Sequence, residues 1–315
     1  MVDLSVKIGA VTLQNPVMPA SGTFSAEFSR VIDLDRLGAL VSKTVSRNYR
    51  AGNPPPRVSE VQGGMINSIG LPTKGLQYFL DVQLPEYEQF KSPLVCSIAA
   101  EKIEDFADMA RDVSVPGVDA IEINISCPTR QPGGGNFALN EEHTYKVVKL
   151  CRAATQKPLW AKLSPNAGDI TSVAEAAEKA GADALTVSNT ILGLKINTDT
   201  FLSYIGNGYG GLSGPGIKPI IVRMVNECSR AVKIPIIGCG GIMAVEDVVE
   251  YMLAGATAVQ IGFLSFRNPT GMIAIIDGLE QWCRKKDIAR VSQLTGAMKA
   301  HPPRDTYEAG MIGIS

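Results

Sequence analysis

The sequence is poor in the residues that metal sites and redox clusters most often use. Its 315 residues include two histidines, His143 and His301, and six cysteines that are far apart and never spaced CxxC. Zinc sites and iron–sulfur clusters usually take closely spaced cysteine or histidine ligands. The sequence therefore argues against a metal site, against a cluster held by this chain alone, and against a compact disulfide framework.

The chain also lacks a surplus of charge and a long apolar run. Thirty basic and 31 acidic residues leave a formal charge of −1, which argues against electrostatic binding of nucleic acid or anionic membranes. The most apolar windows are interrupted by glycine and are too short to span a bilayer. The first residues do not have the pattern of a signal peptide. Because unpaired cysteines are typical of reducing compartments, we expect a cytoplasmic protein.

Apolar runs rich in β-branched residues alternate with amphipathic segments along the chain. The runs are continuous, which indicates parallel strands covered on both faces. They occupy residues 15–21, 39–45, 92–98, 118–126, 158–164, 182–188, 234–240 and 257–262. Helices are predicted between them, for example over 104–113, 141–155, 172–181 and 245–255. This order predicts an α/β fold, a single (β/α)8 TIM barrel over 1–299 followed by an extended C-terminal tail over 300–315.

Two additions to the barrel are predicted. Residues 4–14 have the pattern of a β-hairpin that turns at Gly9 and closes the bottom of the barrel. Residues 46–80 form a long loop insertion after strand 2, rich in glycine and proline. A long loop on the catalytic face of a barrel is more often functional than not.

Functional groups of such a barrel follow the carboxyl ends of its strands. Polar and glycine residues cluster at these ends: Ala20, Ser21, Gly22, Lys43, Thr44, Asn124, Cys127, Lys162, Ser188, Asn189, Thr190, Cys239, Gly240, Gly241 and Gly262. The set contains two lysines, amides and hydroxyls, but no carboxylate pair and no histidine, which argues against a histidine-based triad. Glycines after strands 7 and 8 predict a phosphate site. A lysine inside a barrel needs an anionic partner, which a bound cofactor would supply.

The cysteines differ in their surroundings. Cys127 lies in NISCP, where a strand gives way to a proline- and glycine-rich segment, and its ordinary pKa of about 8.5 suits a general base. Cys239 is a rival at another strand end, although its GCGG context places it near the predicted phosphate site. The remaining thiols are interpreted as small core residues: Cys96, Cys151, Cys228 and Cys283.

Six segments together resemble the class 1 dihydroorotate dehydrogenases. They are INSIGLP (66–72), NISCP (124–128), AKLSPN (161–166), SNTILGL (188–194), GGLSGPGIKPI (210–220) and IGCGGI (237–242), in the same order and spacing as in that family. The resemblance runs from about residue 4 to about residue 285. The cysteine of NISCP is typical of class 1, and the later segments are most similar to the NAD-linked 1B catalytic subunit.

This resemblance implies an FMN-dependent enzyme of pyrimidine biosynthesis that oxidises dihydroorotate to orotate. Cys127 would take the C5 proton as hydride passes from C6 to flavin N5, with Lys43 as a second catalytic residue. The implied FMN-binding residues are Ala20, Ser21, Gly22, Lys43, Thr44, Asn124, Lys162, Ser188, Gly214, Cys239, Gly240, Gly241, Gly262 and Phe263. The implied substrate-binding residues are Lys43, Asn67, Ile69, Gly70, Leu71, Asn124, Thr129, Asn189 and Thr190. A homodimer is implied, and a separate subunit with FAD and a [2Fe-2S] cluster would pass electrons to NAD.

Two positions depart from the family pattern. Thr129 stands where asparagine usually helps to bind the substrate carboxylate, and Phe263 stands where threonine usually follows the last strand. A paralogue that acts on another dihydropyrimidine or cyclic amide is therefore an alternative. Further alternatives are a non-redox lyase or isomerase that binds a sugar phosphate at the same glycines, and a binding protein that has lost its activity.

Overall fold

The structure, a computed structural model, describes residues 2–126 and 136–300. Its strands, in chain order, are Val6–Ile8 (β1), Val11–Leu13 (β2), Val17–Pro19 (β3), Leu40–Val41 (β4), Val58–Val61 (β5), Gly64–Asn67 (β6), Leu94–Ile98 (β7), Ala120–Asn124 (β8), Leu159–Lys162 (β9), Ala184–Val187 (β10), Ile191–Gly193 (β11), Gly210–Ser213 (β12), Ile236–Cys239 (β13) and Ala256–Ile261 (β14).

The α-helices of the described residues lie mostly between these strands. They are Leu76–Tyr78 (α1), Leu84–Tyr87 (α2), Asp105–Asp112 (α3), Glu141–Ala154 (α4), Ile170–Ala180 (α5), Lys218–Ala231 (α6), Val245–Ala254 (α7), Phe263–Arg267 (α8) and Gly271–Lys285 (α9). A π-helical turn, Phe79–Gln83, joins α1 to α2. Short 3-10 helices cover Ala26–Arg30, Leu34–Arg36, Phe137–Leu139, Pro215–Ile217 and Val291–Leu294. None of the helices in the described ranges is long and apolar enough to cross a membrane.

Eight parallel strands form the barrel, in the order β3-β14-β13-β10-β9-β8-β7-β4. The two end strands approach each other where the Gly38 amide donates to the Val17 carbonyl at 2.8 Å. A side chain on Gly38 would overlap the carbonyl oxygen of Asn15, so this approach requires glycine. Each predicted apolar run coincides with one barrel strand to within a few residues, and the predicted (β/α)8 fold is confirmed.

The strands bury both faces, as their continuous apolar runs predict. In β8, Ile121 and Ile123 are fully buried and alternate with Glu122 and Asn124. Successive side chains of a strand point to opposite faces. Glu122 forms hydrogen bonds with residues of β7, β10 and β14, so its face is the barrel interior and the isoleucines face the helices.

The N-terminal hairpin lies at the amino ends of the barrel strands. β1 and β2 pair antiparallel, and Gly9 turns between them with a φ of +59°. A Cβ on Gly9 would lie 3.4 Å from Asp183, the residue before β10. Ile8 and Leu13 are fully buried, so the hairpin packs its apolar face onto the core.

The insertion after the second barrel strand contains a β-hairpin, β5–β6, where the sequence suggested a loop. A second hairpin, β11–β12, leaves the barrel after β10, and its strand β12 pairs with β6 of the first hairpin. Together they form an antiparallel sheet in the order β11-β12-β6-β5. The contribution of β11 and β12 was not predicted. Residues 301–315 lie outside the described residues, so the boundary at residue 300 stays a prediction.

Candidate active site

A cavity of about 500 Å³ opens at the carboxyl ends of the barrel strands, beneath the antiparallel sheet. Its size is typical of small-molecule sites. The structure brings together in its wall every predicted site residue that it describes: Ala20, Ser21, Gly22, Lys43, Thr44, Asn67, Ile69, Gly70, Leu71, Asn124, Lys162, Ser188, Asn189, Thr190, Gly214, Cys239, Gly240, Gly241, Gly262 and Phe263. The predicted base Cys127 and the carboxylate residue Thr129 lie outside the described residues.

Sequence reasoning missed other residues of the wall: Thr23, Val58, Met65, Ser213, Ile217 and Phe266. Val58 and Met65 come from β5 and β6, in the segment interpreted as a loop. Ser213 and Ile217 belong to the segment GGLSGPGIKPI, of which only the glycine at 214 was singled out. The glycine at position 63, between runs at 58–61 and 64–67, was a signal that could have indicated a hairpin turn.

Lys162 is the most buried charge in the cavity wall, with 3% of its surface exposed. Its Nζ donates to Gln260 Oε1 at 3.0 Å and to Ser21 Oγ at 3.3 Å. Glu122 Oε1 lies 3.7 Å away and forms an ion pair with it. The expectation that a bound cofactor supplies the anionic partner is therefore wrong for Lys162, because the protein supplies a carboxylate of its own.

Glu122 is fully buried in the barrel interior. It accepts hydrogen bonds from Gln260 Nε2 at 2.7 Å, from Ser97 Oγ at 3.1 Å and from Thr186 Oγ1 at 3.3 Å. A buried ion pair persists only when further hydrogen bonds satisfy both partners, because desolvation opposes it. Sequence reasoning overlooked this carboxylate. The signal was an acidic residue inside VDAIEINIS, a run assigned to a strand buried on both faces.

Lys43 is less buried than Lys162. A Cβ on Gly22 would lie 2.9 Å from its Nζ, so the absence of a side chain at 22 makes room for this ammonium group. Gly22 also has a φ of +81°, which glycine adopts readily. Lys43 and Lys162 are the charged side chains of the described cavity wall, and their ammonium groups are donors suited to carbonyl or anionic oxygens of a ligand.

Three asparagine amides form a neutral part of the wall. Asn124 Nδ2 donates to Thr44 Oγ1 at 3.1 Å, and Asn189 Nδ2 donates to Ser126 Oγ at 2.9 Å. Asn67, on β6, donates to the Gly211 carbonyl at 3.3 Å. Each amide is thus held by a neighbour and keeps further hydrogen-bonding capacity. Such a surface suits a ring whose edge carries both donors and acceptors.

The segment 69–71 presents backbone to the cavity. Gly70 and Leu71 have φ values of +78° and +53°, a region that a leucine rarely adopts. A Cβ on Gly70 would collide with Asn53, whose Nδ2 donates to Ser68 Oγ at 2.7 Å. The turn is therefore packed tightly against Asn53, and its strained leucine lies at the site, as is common for functional loops.

Glycine loops form the opposite end of the cavity. Gly214, Gly240 and Gly241 all have positive φ, and a Cβ on Gly241 would lie 2.8 Å from the Gly214 carbonyl oxygen. The Tyr251 hydroxyl donates to the Gly240 carbonyl at 2.6 Å and fixes this loop. Ser213 Oγ is buried here without a hydrogen-bond partner among the described residues. An oxygen-rich ligand group would satisfy that hydroxyl, and exposed backbone amides at such loops bind anions.

The thiols separate into two groups. Cys96, Cys151, Cys228 and Cys283 are buried in the core, and burial raises the pKa of the first three to about 12. Cys239 lies in the cavity wall. Burial also raises the pKa of the Cys239 thiol, an effect that the Lys162 ammonium partly offsets and the Glu122 carboxylate reinforces. Cys239 is therefore held in its thiol form at neutral pH.

Comparisons with known proteins show the family of the chain. The family model described as "Dihydroorotate dehydrogenase" matches residues 3–282. A protein of Thermoanaerobacter pseudethanolicus named "Dihydroorotate dehydrogenase B (NAD(+)), catalytic subunit" is 46% identical over 299 residues, which cover 94% of this chain and 99% of that protein. A protein of the same name from Geobacter sulfurreducens is 44% identical over 300 residues, covering 94% and 98% of the two chains.

A solved structure shares the fold. A crystal structure of DHODH in complex with ferulenol from Eimeria tenella superposes with a TM-score of 0.78, covering 94% of this chain and 88% of that chain, at 23% identity. At that identity the likeness concerns the fold alone. The match of a family model to most of the sequence, together with relatives that are nearly half identical over almost their whole length, shows that the chain belongs to the dihydroorotate dehydrogenase family.

Proposed function

We propose that this chain oxidises dihydroorotate to orotate. The observation that supports this most strongly is the convergence, in one cavity, of two lysines, three asparagine amides and glycine loops that come from distant parts of the sequence. Curated relatives named as catalytic subunits of dihydroorotate dehydrogenase B span nearly the same length. The oxidation removes a proton from C5 and a hydride from C6, and a C5=C6 double bond forms.

The residues of the cavity fit FMN. At Gly214, Gly240 and Gly241 an added Cβ would collide with neighbouring protein atoms, so glycine lets these loops pack closely together, and Ser213 offers a buried hydroxyl that has no partner among the described residues. These groups, with Gly262, would hold the phosphate, while Lys43 and Lys162 would contact the ring system. When bound, FMN supplies the acceptor for the hydride from C6. Because Lys162 already has Glu122 as its partner, its charge is held in place before any ligand binds.

The amide wall would hold the pyrimidine ring. Asn67, Asn124 and Asn189 present amide groups whose orientations are set by their neighbours, and the backbone of residues 69–71 would receive the carboxylate. The family resemblance assigns Thr129 and Thr190 to the substrate as well. Lys43 lies on the same side of the cavity as Gly22 and would offset the negative charge that develops as the proton leaves.

We assign the proton transfer to Cys127. The residue before it in the sequence, Ser126, is fully buried and is hydrogen-bonded to both Asn124 and Asn189 of the amide wall, which supports this assignment. Its rival Cys239 lies beside the glycine loops, and burial raises the pKa of that thiol. The raised pKa leaves Cys239 with a smaller thiolate fraction than a cysteine with the ordinary pKa of about 8.5.

The electron acceptor completes the proposal. The sequence has no cysteine spacing suited to an iron–sulfur cluster, so transfer to NAD would need a separate subunit that holds FAD and a [2Fe-2S] cluster. The relatives are named as catalytic subunits, which supports such a partner. We further propose a homodimer of this chain and a cytoplasmic location, in keeping with the unpaired thiols of the described residues.

Anaerobic addition of dihydroorotate to the purified yellow protein tests the function directly. We expect rapid bleaching of the flavin absorbance. Cys127→Ser should slow this reduction by roughly 100-fold or more at neutral pH, with partial recovery at high pH, while FMN stays bound. Cys239→Ser is the matched control and should stay within a few-fold of the unmodified protein.

Each other result has a definite meaning. A yellow protein that does not bleach would contradict dihydroorotate as the substrate and favour the paralogue. Equal losses in the two serine variants would contradict the assignment of the base. A colourless protein that neither binds nor retains FMN would contradict the flavin chemistry and favour a lyase or isomerase.

A further inference from the structure

A single chain of hydrogen bonds joins Glu122, deep in the barrel, to the amide wall of the cavity. Ser97 Oγ donates to Glu122 Oε1 at 3.1 Å, and Thr44 Oγ1 lies 3.0 Å from Ser97 Oγ. Asn124 Nδ2 then donates to Thr44 Oγ1 at 3.1 Å. At most 4% of the surface of any of these four residues is exposed. Water therefore does not compete for the bonds, and the groups must satisfy one another.

The carboxylate decides which way every bond in this chain points. An ionised carboxylate can only accept hydrogen bonds. The Ser97 hydroxyl therefore donates its single hydrogen bond to Glu122 and must accept a hydrogen bond from the Thr44 hydroxyl. Thr44, in turn, has no proton left for Asn124 and must accept from its amide nitrogen. The amide of Asn124 is thereby fixed with Nδ2 toward Thr44.

The same direction continues to the second asparagine. With Nδ2 of Asn124 committed, its Oδ1 accepts from Ser126 Oγ at 3.0 Å. Ser126 Oγ then accepts from Asn189 Nδ2 at 2.9 Å, and Asn189 Oδ1 accepts from the Thr190 amide at 2.8 Å. Every proton along the path therefore points toward Glu122.

We infer that Glu122 is a positioning residue that acts together with the backbone N–H groups of Ser126 and Thr190 to set the amide orientations of Asn124 and Asn189, and so the donors and acceptors that the cavity offers to its ligand. The inference rests on the proposed function, since it names those amides as the groups that bind the pyrimidine ring. Glu122 itself does not line the cavity. It acts through Ser97 and Thr44, and its charge is maintained by Lys162.

Thr186 forms a hydrogen bond with Glu122 that is comparable to that of Ser97 but is not part of the path to the asparagines. Thr186 Oγ1 donates to the other oxygen of the same carboxylate, Oε2, at 3.3 Å. Like Ser97, Thr186 is fully buried on a barrel strand and does not line the cavity. Removing either hydroxyl takes one hydrogen bond from Glu122, but only Ser97 connects it to the amides. Substitutions at the two residues therefore distinguish loss of the hydrogen-bond path to the asparagines from loss of one hydrogen bond in the core.

The experiment compares Ser97→Ala with Thr186→Val in the full chain with FMN bound. We expect Ser97→Ala to weaken orotate binding roughly ten-fold, followed as the flavin absorbance shift, and to raise the KM for dihydroorotate in parallel. Thr186→Val should stay within about two-fold, with a similar change in thermal stability. Glu122→Gln, which lets Ser97 accept rather than donate, should weaken orotate binding at least as much as Ser97→Ala.

A second measurement is independent of turnover. The side-chain amide ¹⁵N–¹H signals of Asn124 and Asn189, identified by their loss in Asn124→Asp and Asn189→Asp, should shift in Ser97→Ala and stay in place in Thr186→Val. Equal effects of the two variants on orotate binding, or amide signals that Ser97→Ala does not move, would overturn the inference. If Glu122→Gln does not fold, Ser97→Ala decides alone. If dihydroorotate fails to bleach the unmodified protein, the proposed function fails. The amide signals would still test whether Glu122 orients Asn124 and Asn189 through Ser97.

Discussion

Removing the ammonium group of Lys162 should destabilise the protein through Glu122. In Lys162→Met the carboxylate stays fully buried and loses its only ionic partner among the described residues. Breaking one side of a buried pair costs about 3–5 kcal/mol. Because Ser97, Thr186 and Gln260 would still donate to Glu122, we expect the lower end, about 3 kcal/mol.

This loss converts into a shift that calorimetry can resolve. An unfolding entropy of about 2.1 cal/mol/K per residue gives about 0.7 kcal/mol/K for a chain of this length. A loss of about 3 kcal/mol therefore lowers the melting temperature by roughly 4–5 °C. The measurement should use flavin-free protein, because a bound ligand would add its own stabilisation.

The double variant and a control separate charge from packing. In Lys162→Met with Glu122→Gln the buried charge is gone, and most of the lost stability should return. Lys218→Met removes another paired lysine, bonded to Asp247 at 2.7 Å and to Glu250 at 2.6 Å, whose side chain is 26% exposed. It should cost about 1 kcal/mol or less. The reasoning is refuted if the single variant melts as the unmodified protein does, or if the double variant is as unstable as the single one.

Three further predictions follow from particular contacts. Gly211→Ala should weaken orotate binding roughly ten-fold, since a Cβ there would overlap Thr190 Oγ1, whereas Gly168→Ala, with nothing within 4 Å, should leave binding unchanged. Thr129→Asn should leave dihydroorotate turnover within a few-fold, and a large gain would indicate another natural substrate. Iodoacetamide at pH 8 should not modify Cys96, Cys151 or Cys228 in the native protein, because burial raises the pKa of these thiols to about 12. Peptide mapping would detect the modification, and labelling of any of the three would contradict their burial.

Much of the fold could be predicted because a parallel barrel leaves a strong local signal. Its strands are buried on both faces, so each is a continuous apolar run such as SPLVCSI or PLWAKLS. The site residues at the strand ends could be predicted for the same reason, since the carboxyl ends of all barrel strands meet on one face. Lys43, Lys162 and Gly240 thus lie in one cavity although they are far apart in the sequence.

The antiparallel sheet above the cavity could not be predicted in the same way. Its strands are three or four residues long, too short for a clear alternation of polar and apolar residues. The pairing of β12 with β6 joins residues near 211 to residues near 67, and no local pattern specifies such a distant partner.

The sequence by itself determined the barrel, the order of its strands along the chain and the polar residues at their ends, because burial and backbone freedom restrict composition locally. Only the tertiary structure decided what those residues bond to. Glu122 is an isolated acidic residue in an apolar run until the barrel closes and brings Ser97, Lys162 and Gln260 around it. The direction of the hydrogen bonds that reach Asn124 and Asn189 depends on that arrangement. That arrangement forms only on folding, because the bonds that join Glu122 to Ser97, Ser97 to Thr44, Thr44 to Asn124 and Ser126 to Asn189 connect residues far apart in the sequence.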